Sequence, residues 1–343
     1  MNKFEMINRA VWYPDEYKLH RIPGIIVTSR GTVIIYNEAR REGQSDWDTI
    51  NIFMQRSTDR GITFGEPIML VEGTEEFKTS NNPCMVEDKN GRLHLLYCRD
   101  YTVNNGGAWH RYSDDDGLTW SDPDEVTYAT RPELHNVFAF GPGHAICTDN
   151  GMLLVPVWFV TKDAGVALHE HMPSVISTFY SKDNGVTWQM GEIIPSTEEV
   201  ESPNETVAVE LSDGRIMLDI RSFAHMRSKA FSSDGIGNWS ETKNDPALID
   251  PCCFGSVARF RDGERYRLLS VNCEHETERK NVVLKVSDDD GLTWSVKRTI
   301  DVERGGYCDI AVDEKNKVIY VLYERKWGTY IFLCRMTADW LEV

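Results

Sequence analysis

Arginine grips a carboxylate better than any other side chain, because its planar fork donates two parallel hydrogen bonds to the two oxygens. Three arginines stand where such a grip could be built. Arg21 directly precedes Ile22-Pro23-Gly24, Arg221 follows the apolar run ending at Ile220, and Arg279 opens the run that ends at Ser287. Any one of them alone reads as a surface salt-bridge residue; together they would bind a sugar acid only if the fold gathers them. Glu324 interrupts an otherwise apolar strand, Val318 to Tyr323, and would be costly to bury without a cationic partner. Asp46 and Asp48 share a polar loop with Arg40 and Arg41, and either carboxylate could move a proton or simply be solvated. Glu205 opens a strand after Pro203-Asn204, where a solvated glutamate is ordinary. Tyr307 follows Gly305-Gly306, where the backbone can bend to present a side chain, although a core tyrosine is the commoner arrangement. His135, His144, His169 and His171 share no metal-ligand spacing with a carboxylate or cysteine, so neither a metal nor another cofactor is expected.

What must position these residues is a repeat. Ser57-Thr-Asp-Arg-Gly-Ile-Thr-Phe64 returns as Ser113-Asp-Asp-Asp-Gly-Leu-Thr-Trp120, Ser181-Lys-Asp-Asn-Gly-Val-Thr-Trp188 and Ser287-Asp-Asp-Asp-Gly-Leu-Thr-Trp294. Ser232-Ser-Asp-Gly-Ile-Gly-Asn-Trp239 is a decayed copy. The pattern is that of a stiff hairpin: Ser and Asp side chains bond local amides, Gly takes a positive φ, and the aromatic folds back into the core. Copies recur every 51 to 68 residues, a period suited to one four-stranded unit. Between them lie short apolar runs such as Gly24–Thr28, Arg92–Cys98, Arg215–Ile220 and Lys317–Glu324, separated by turn signals at Asn90-Gly91, Asn150-Gly151 and Asp213-Gly214. The spacing predicts an all-β chain folded as a six-bladed β-propeller, one domain over residues 1–343. The C-terminal strands lack an octet, and the segment Ile7–Tyr13 is expected to close the ring beside them.

Composition narrows the partners. The net charge of −17 argues against nucleic acid, and it requires any anionic substrate to meet a local cluster of arginines. No apolar run is long enough for a membrane helix, and the first residues have no secretory leader pattern. The expected location is therefore cytoplasmic, or secreted if a leader was removed. Eight cysteines show no CxxC pair and read as buried thiols.

Taken in order, these motifs resemble the sialidases (neuraminidases). The likeness runs through Arg21-Ile-Pro, the arginine loop with Asp46, Phe140-Gly-Pro-Gly-His-Ala-Ile146, Pro203-Asn-Glu205, Ile220-Arg221-Ser222, Arg279-Lys280, Tyr307-Cys-Asp-Ile310 and Leu322-Tyr-Glu324. It covers nearly the whole chain and keeps phase with the five octets.

The resemblance implies roles. Arg21, Arg221 and Arg279 would hold the substrate carboxylate, with Glu324 fixing Arg21. Asp46, preferred over Asp48 by its spacing from Arg40 and Arg56, would be the acid/base. Tyr307 would be the nucleophile with Glu205 as its partner, and Arg40 and Asn82 would line the sugar pocket; Trp109, in a loop that matches no motif of the family, is a further candidate for that pocket. The expected activity is a retaining exo-sialidase acting on sialylated glycans or a related 2-keto sugar acid. Transfer to another acceptor, intramolecular transfer and a non-catalytic carbohydrate-binding propeller remain alternatives.

Overall fold

Asp59 shows how the repeated turn works. One carboxylate oxygen accepts from Ser57 Oγ at 2.7 Å and from the amides of Ile62 and Thr63 at 3.1 and 2.9 Å; the other accepts from Thr63 Oγ1 at 2.6 Å. The bonds from Thr63 foremost hold the carboxyl down at about 2. Ser57 Oγ in turn accepts the Gly61 amide at 2.8 Å. Two successive left-handed residues close the turn, Arg60 at φ 64° and Gly61 at φ 77°. The decayed copy uses the same logic one residue shorter: Asp234 accepts the amides of Ile236 and Gly237 at 2.9 and 3.0 Å.

The structure, a computed structural model, describes residues 5–13, 15–99, 107–165 and 171–342. His169, and Gly106 of the loop before Trp109, lie outside these. Six sheets surround one axis, each antiparallel from its innermost strand outward except that the short segment Gly143–His144 pairs parallel with Ser80–Glu87 on the inner edge of the second. Blade 1 comprises Leu19–Val27, Val33–Arg40, Ile50–Ser57 and Ile68–Val71. Blade 2 comprises Ser80–Glu87, Leu93–Arg99, Gly107–Ser113 and Asp124–Glu125. In blade 3 the innermost position is split between His135–Phe140 and Ile146–Cys147, followed by Leu153–Thr161, Val175–Ser181 and Gln189–Met190. Blade 4 is Thr206–Glu210, Ile216–Ile220, Met226–Ser232 and Lys243–Ile249; blade 5 is Ser256–Asp262, Arg265–Cys273, Lys280–Ser287 and Val296–Arg304. Blade 6 takes Cys308–Asp313, Val318–Arg325 and Tyr330–Thr337 from the C-terminal end and Met6–Trp12 from the other. That last pairing, Met6 with Met336 through Trp12 with Ile331, closes the ring as expected.

The closure also explains why there are five octets and six blades. Each octet links the third strand of a blade to the fourth. In blade 6 those two strands, Tyr330–Thr337 and Met6–Trp12, are not consecutive in the sequence, so no hairpin turn joins them to carry a sixth copy.

Blades pack face to face, which buries both faces of their middle strands and accounts for continuous apolar runs in place of alternation. Val33–Arg40 and Leu93–Arg99 are buried along their whole length. The octets lock neighbouring blades together. At Gly185 a Cβ would stand 2.3 Å from His94 of blade 2, so only glycine lets the blade 3 turn seat there. On the axis, Asp309 of blade 6 accepts from His144 Nδ1 at 2.7 Å, Ser256 Oγ of blade 5 at 2.7 Å and the Ile25 amide of blade 1 at 2.9 Å. Among the described residues no helix is long and apolar enough to cross a membrane.

Candidate active site

Kinks in the innermost strands aim the site. In blade 1 the pairing register slips between Arg21 and Gly24, and Ile22 takes φ 54°; in blade 2 it slips between Asn81 and Cys84, and Asn82 takes φ 50°. Both residues precede a proline, which has no amide to lose when a strand bulges. A β-branched residue at positive φ is an outlier that surrounding contacts must hold. Glu324 supplies one by accepting the Ile22 amide at 3.0 Å. Ser202, before Pro203, repeats the conformation at φ 47° where the chain approaches Glu205.

These kinks open a pocket of about 270 Å³ at one end of the axis. Arg21, Arg221 and Arg279 converge there from blades 1, 4 and 5 around Tyr307 of blade 6. Their guanidinium carbons lie 5.2, 5.8 and 5.5 Å from the centre of its ring. Arg21 is held by Glu324, 3.1 Å from Nε and 3.4 Å from Nη2. Glu324 is 1% exposed, and its partner is the arginine that its place in the sequence required.

Tyr307 Oη donates to Glu205 Oε1 at 2.6 Å and accepts from Arg221 Nη1 at 2.8 Å; Arg221 also pairs with the second oxygen of Glu205. Burial, and then the neighbouring Glu205 charge, push the phenol's pKa up against the pull of Arg221, Arg279 and Arg21. At rest Tyr307 is therefore a neutral phenol hydrogen-bonded to the Glu205 carboxylate.

Asp46 projects from the loop after Val33–Arg40 and pairs with Arg40 Nη2 at 2.7 Å, its side chain 43% exposed. Burial alone would raise its pKa, but Arg40, Arg21 and His171 outweigh it and the carboxyl is held down. Arg40 is fully buried and is itself anchored by Glu38, at 2.9 and 2.6 Å. The other oxygen of Glu38 accepts the Asn82 amide at 2.8 Å, so one buried carboxylate sets both Arg40 and the blade 2 kink. Asp48 does not line the pocket.

Trp109 is the expected pocket residue that the structure places elsewhere. It lies on the third strand of blade 2, two strands out from the axis, with its ring edge-on to Phe77 at 5.6 Å and Arg99 5.3 Å from its centre. At roughly 4.8 Å per strand it is too far out to reach a sugar on the axis. The pocket's rings come instead from Trp158, Phe223 and His171, with Met172 beside them. The His171 ring sits 5.3 Å from that of Trp47 and 5.4 Å from that of Trp158. His135 and His144 make structural contacts, with Thr130 and Asp309. A larger cavity of about 620 Å³ opens at the opposite end of the axis, but none of the three arginines, Asp46, Glu205 or Tyr307 lines it.

The arrangement can bind an anion through three guanidiniums, present a base-linked phenol to an atom beside that anion, and offer a carboxyl from across the pocket. Comparison with known proteins gives the family. The family described as BNR repeat-like domain matches residues 31–320. The sialidase of Clostridium perfringens is 27% identical over 345 residues, covering 90% of this chain and 86% of the relative. The sialidase of Bacteroides fragilis strain YCH46 is 24% identical over 90% of this chain, which spans only 60% of that relative's length. Among solved structures, the intramolecular trans-sialidase of Ruminococcus gnavus, in complex with oseltamivir carboxylate, superposes with a TM-score of 0.79 at 17% identity, covering 96% of each chain.

Proposed function

Because the chain belongs to the BNR repeat-like domain family and its relatives are sialidases, we propose that its pocket removes terminal α-linked sialic acid, or a close 2-keto sugar acid, from glycans with retention of configuration. The observation that carries this reading is the bond between Tyr307 Oη and Glu205 Oε1 at 2.6 Å beneath three guanidiniums. A carbohydrate-binding propeller has use for the arginines but none for a phenol wired to a base.

The anomeric carbon of a sialic acid already bears a carboxylate, so an anionic Asp or Glu attacking it would meet like-charge repulsion. A neutral phenol avoids this, a departure from the usual two-carboxylate scheme. In the first step Tyr307 Oη bonds to the anomeric carbon and its proton passes to Glu205. The bond to the leaving oxygen breaks as Asp46 protonates that oxygen. In the second step water attacks, Asp46 takes its proton, and the Tyr307 oxygen leaves with the proton held on Glu205.

Asp46 must hold a proton to begin, yet Arg40 and Arg21 keep it ionised in the free protein. The substrate resolves this. Its carboxylate cancels part of the Arg21 field and raises the affinity of Asp46 for a proton as the complex forms.

The test is incubation with a fluorogenic α-sialoside while the released sugar is followed by NMR. Free sialic acid appearing first as the α-anomer supports the proposal. An anhydro sugar would point to intramolecular transfer, and no release at all would leave a binding module.

A further inference from the structure

We propose that Trp327, carried on a left-handed turn, positions Arg279, so that the third guanidinium of the carboxylate site is held by aromatic faces where the other two are held by carboxylates. This rests on the function proposed above for the pocket as a whole.

The three arginines are not held alike. Arg21 has Glu324, and Arg221 has Glu205 together with the Tyr307 hydroxyl. Among the described residues no carboxylate forms an ion pair with Arg279. Its guanidinium carbon lies 5.5 Å from the Tyr307 ring centre and 5.9 Å from that of Trp327. Ring faces attract a guanidinium without using its N–H groups. A carboxylate partner would occupy those donors and cancel the charge. An arginine held by two rings therefore keeps its whole donor edge free for a ligand's oxygens, where Arg21 and Arg221 each commit donors to a carboxylate.

The backbone around Trp327 bears the same reading. Lys326, Trp327 and Gly328 take φ values of 50°, 60° and 80°, three left-handed residues in succession, two of them not glycine. Such strain persists only where neighbours enforce it and where it delivers something. The turn is tied down by the Lys326 amide bonding to Arg304 O at 3.0 Å, and by the His20 amide bonding to Gly328 O at 2.9 Å. It delivers contact with two of the three arginines at once. Trp327 faces Arg279, with Arg304 also 5.5 Å from its ring centre. A Cβ on Gly328 would stand 2.6 Å from Cγ of Arg21, so the turn presses on that stem too. Trp327 does not line the pocket and is 40% exposed. It acts through Arg279, as a positioning residue.

The test compares Trp327→Ala and Trp327→Phe with Arg279→Ala and the double variant. Trp327→Ala is expected to raise KM for a sialoside about tenfold with kcat within about threefold, the size of one partly desolvated cation–π contact. Trp327→Phe, which keeps a ring, should recover most of that. Trp327→Ala should add less than about threefold once Arg279 is already alanine, because coupled residues do not add. Independent multiplication of the two losses would overturn the proposal. A second readout needs no activity. In the wild-type protein the Arg279 side-chain resonances, assigned with Arg279→Lys, should be displaced by ring currents, and Trp327→Ala should move them toward the values of exposed arginines. Unmoved resonances would overturn the positioning role. A wild-type protein that turns over no sialoside would instead sink the proposed function, while the resonances still decide the role of Trp327.

Discussion

Glu324 accepts four hydrogen bonds in the interior of blade 6: Arg21 Nε at 3.1 Å, Arg21 Nη2 at 3.4 Å, and the backbone amides of Ile22 and Tyr307 at 3.0 and 3.2 Å. One carboxylate thus fixes Arg21, the strained residue that aims it, and the backbone of Tyr307. In the proposed reaction, binding and chemistry would share a support that does not itself line the pocket.

Removing that support leaves a buried guanidinium without its partner. Glu324→Ala is expected to cost about 3–5 kcal/mol of folding stability, the range for breaking one side of a buried ion pair. Glu324→Gln should cost less, since an amide oxygen can still accept one of the backbone amides. Urea unfolding of the two variants against wild type measures this. A loss below about 1 kcal/mol for Glu324→Ala would show that Arg21 and the Ile22 kink are held by something else.

Asp46 is ionised in the free protein and must be protonated to act first as an acid. For a natural glycoside, kcat/KM should therefore fall as pH rises above the depressed value of the free carboxyl. The corresponding limb of kcat should lie at higher pH, because the bound substrate offsets the arginines. An aryl leaving group needs little protonation and should show a weaker alkaline limb in both. Asp46→Ala should lower activity on the natural glycoside about 10²–10⁴-fold and on the aryl glycoside far less. Asp48→Ala, outside the pocket, should be mild on both. Equal losses from Asp46→Ala on the two substrates would remove it from the role.

The axial pair His144–Asp309 predicts a pH dependence of stability, also lost as pH rises. Burial disfavours the His144 cation, but Asp309 outweighs it and raises its pKa above the ordinary 6.5. A raised histidine contributes fully below its unfolded value, and the contribution is lost as pH climbs through the folded one. The stability gap between wild type and His144→Asn should be wide at pH 6 and narrower at pH 9. Paired denaturation curves at the two values check this; a gap that does not change would mean that folding leaves the His144 pKa unshifted, and one that widens with pH that the ring is held neutral when folded.

Much of this was legible in the sequence, for identifiable reasons. The octets are local: Ser57 bonds Asp59 and Asp59 bonds Thr63 within one turn, so their residue types survive as a readable pattern. Glu324 was legible because a charge on an apolar strand has to be answered. Glu38 carries the same signal, two residues before Arg40 on the buried strand Val33–Arg40. The proline-marked kinks at Ile22, Asn82 and Ser202 are also written in the chain, as Ile22-Pro23, Asn82-Pro83 and Ser202-Pro203, but their shared conformation emerges only once register is known. Trp109 falls outside the pocket because its place on the third strand of blade 2 is set by strand register, which no local pattern displays. Nothing local marks Trp327, His171 or Met172, whose positions depend on loops that the ring brings together.

The nucleophile gives the sharpest test. A phenol with a pKa raised by burial is a poor nucleophile on its own, so attack has to be coupled to proton transfer onto Glu205 within the bond of 2.6 Å. Glu205→Gln should then slow formation of the covalent intermediate strongly while leaving the carboxylate grip of Arg21 and Arg279 in place. Tyr307→Phe should abolish the covalent route altogether. With a fluorinated sialic acid, whose electron-poor ring slows breakdown of the intermediate, wild-type protein should accumulate the sugar on Tyr307. Mass spectrometry of the digested protein should find it on the peptide containing Gly305-Gly306-Tyr307-Cys308. If the adduct sits on any other residue, or the first sugar released is inverted, the phenol is not the nucleophile. Glu205 would then be free to activate water directly, a different reaction built on the same six blades.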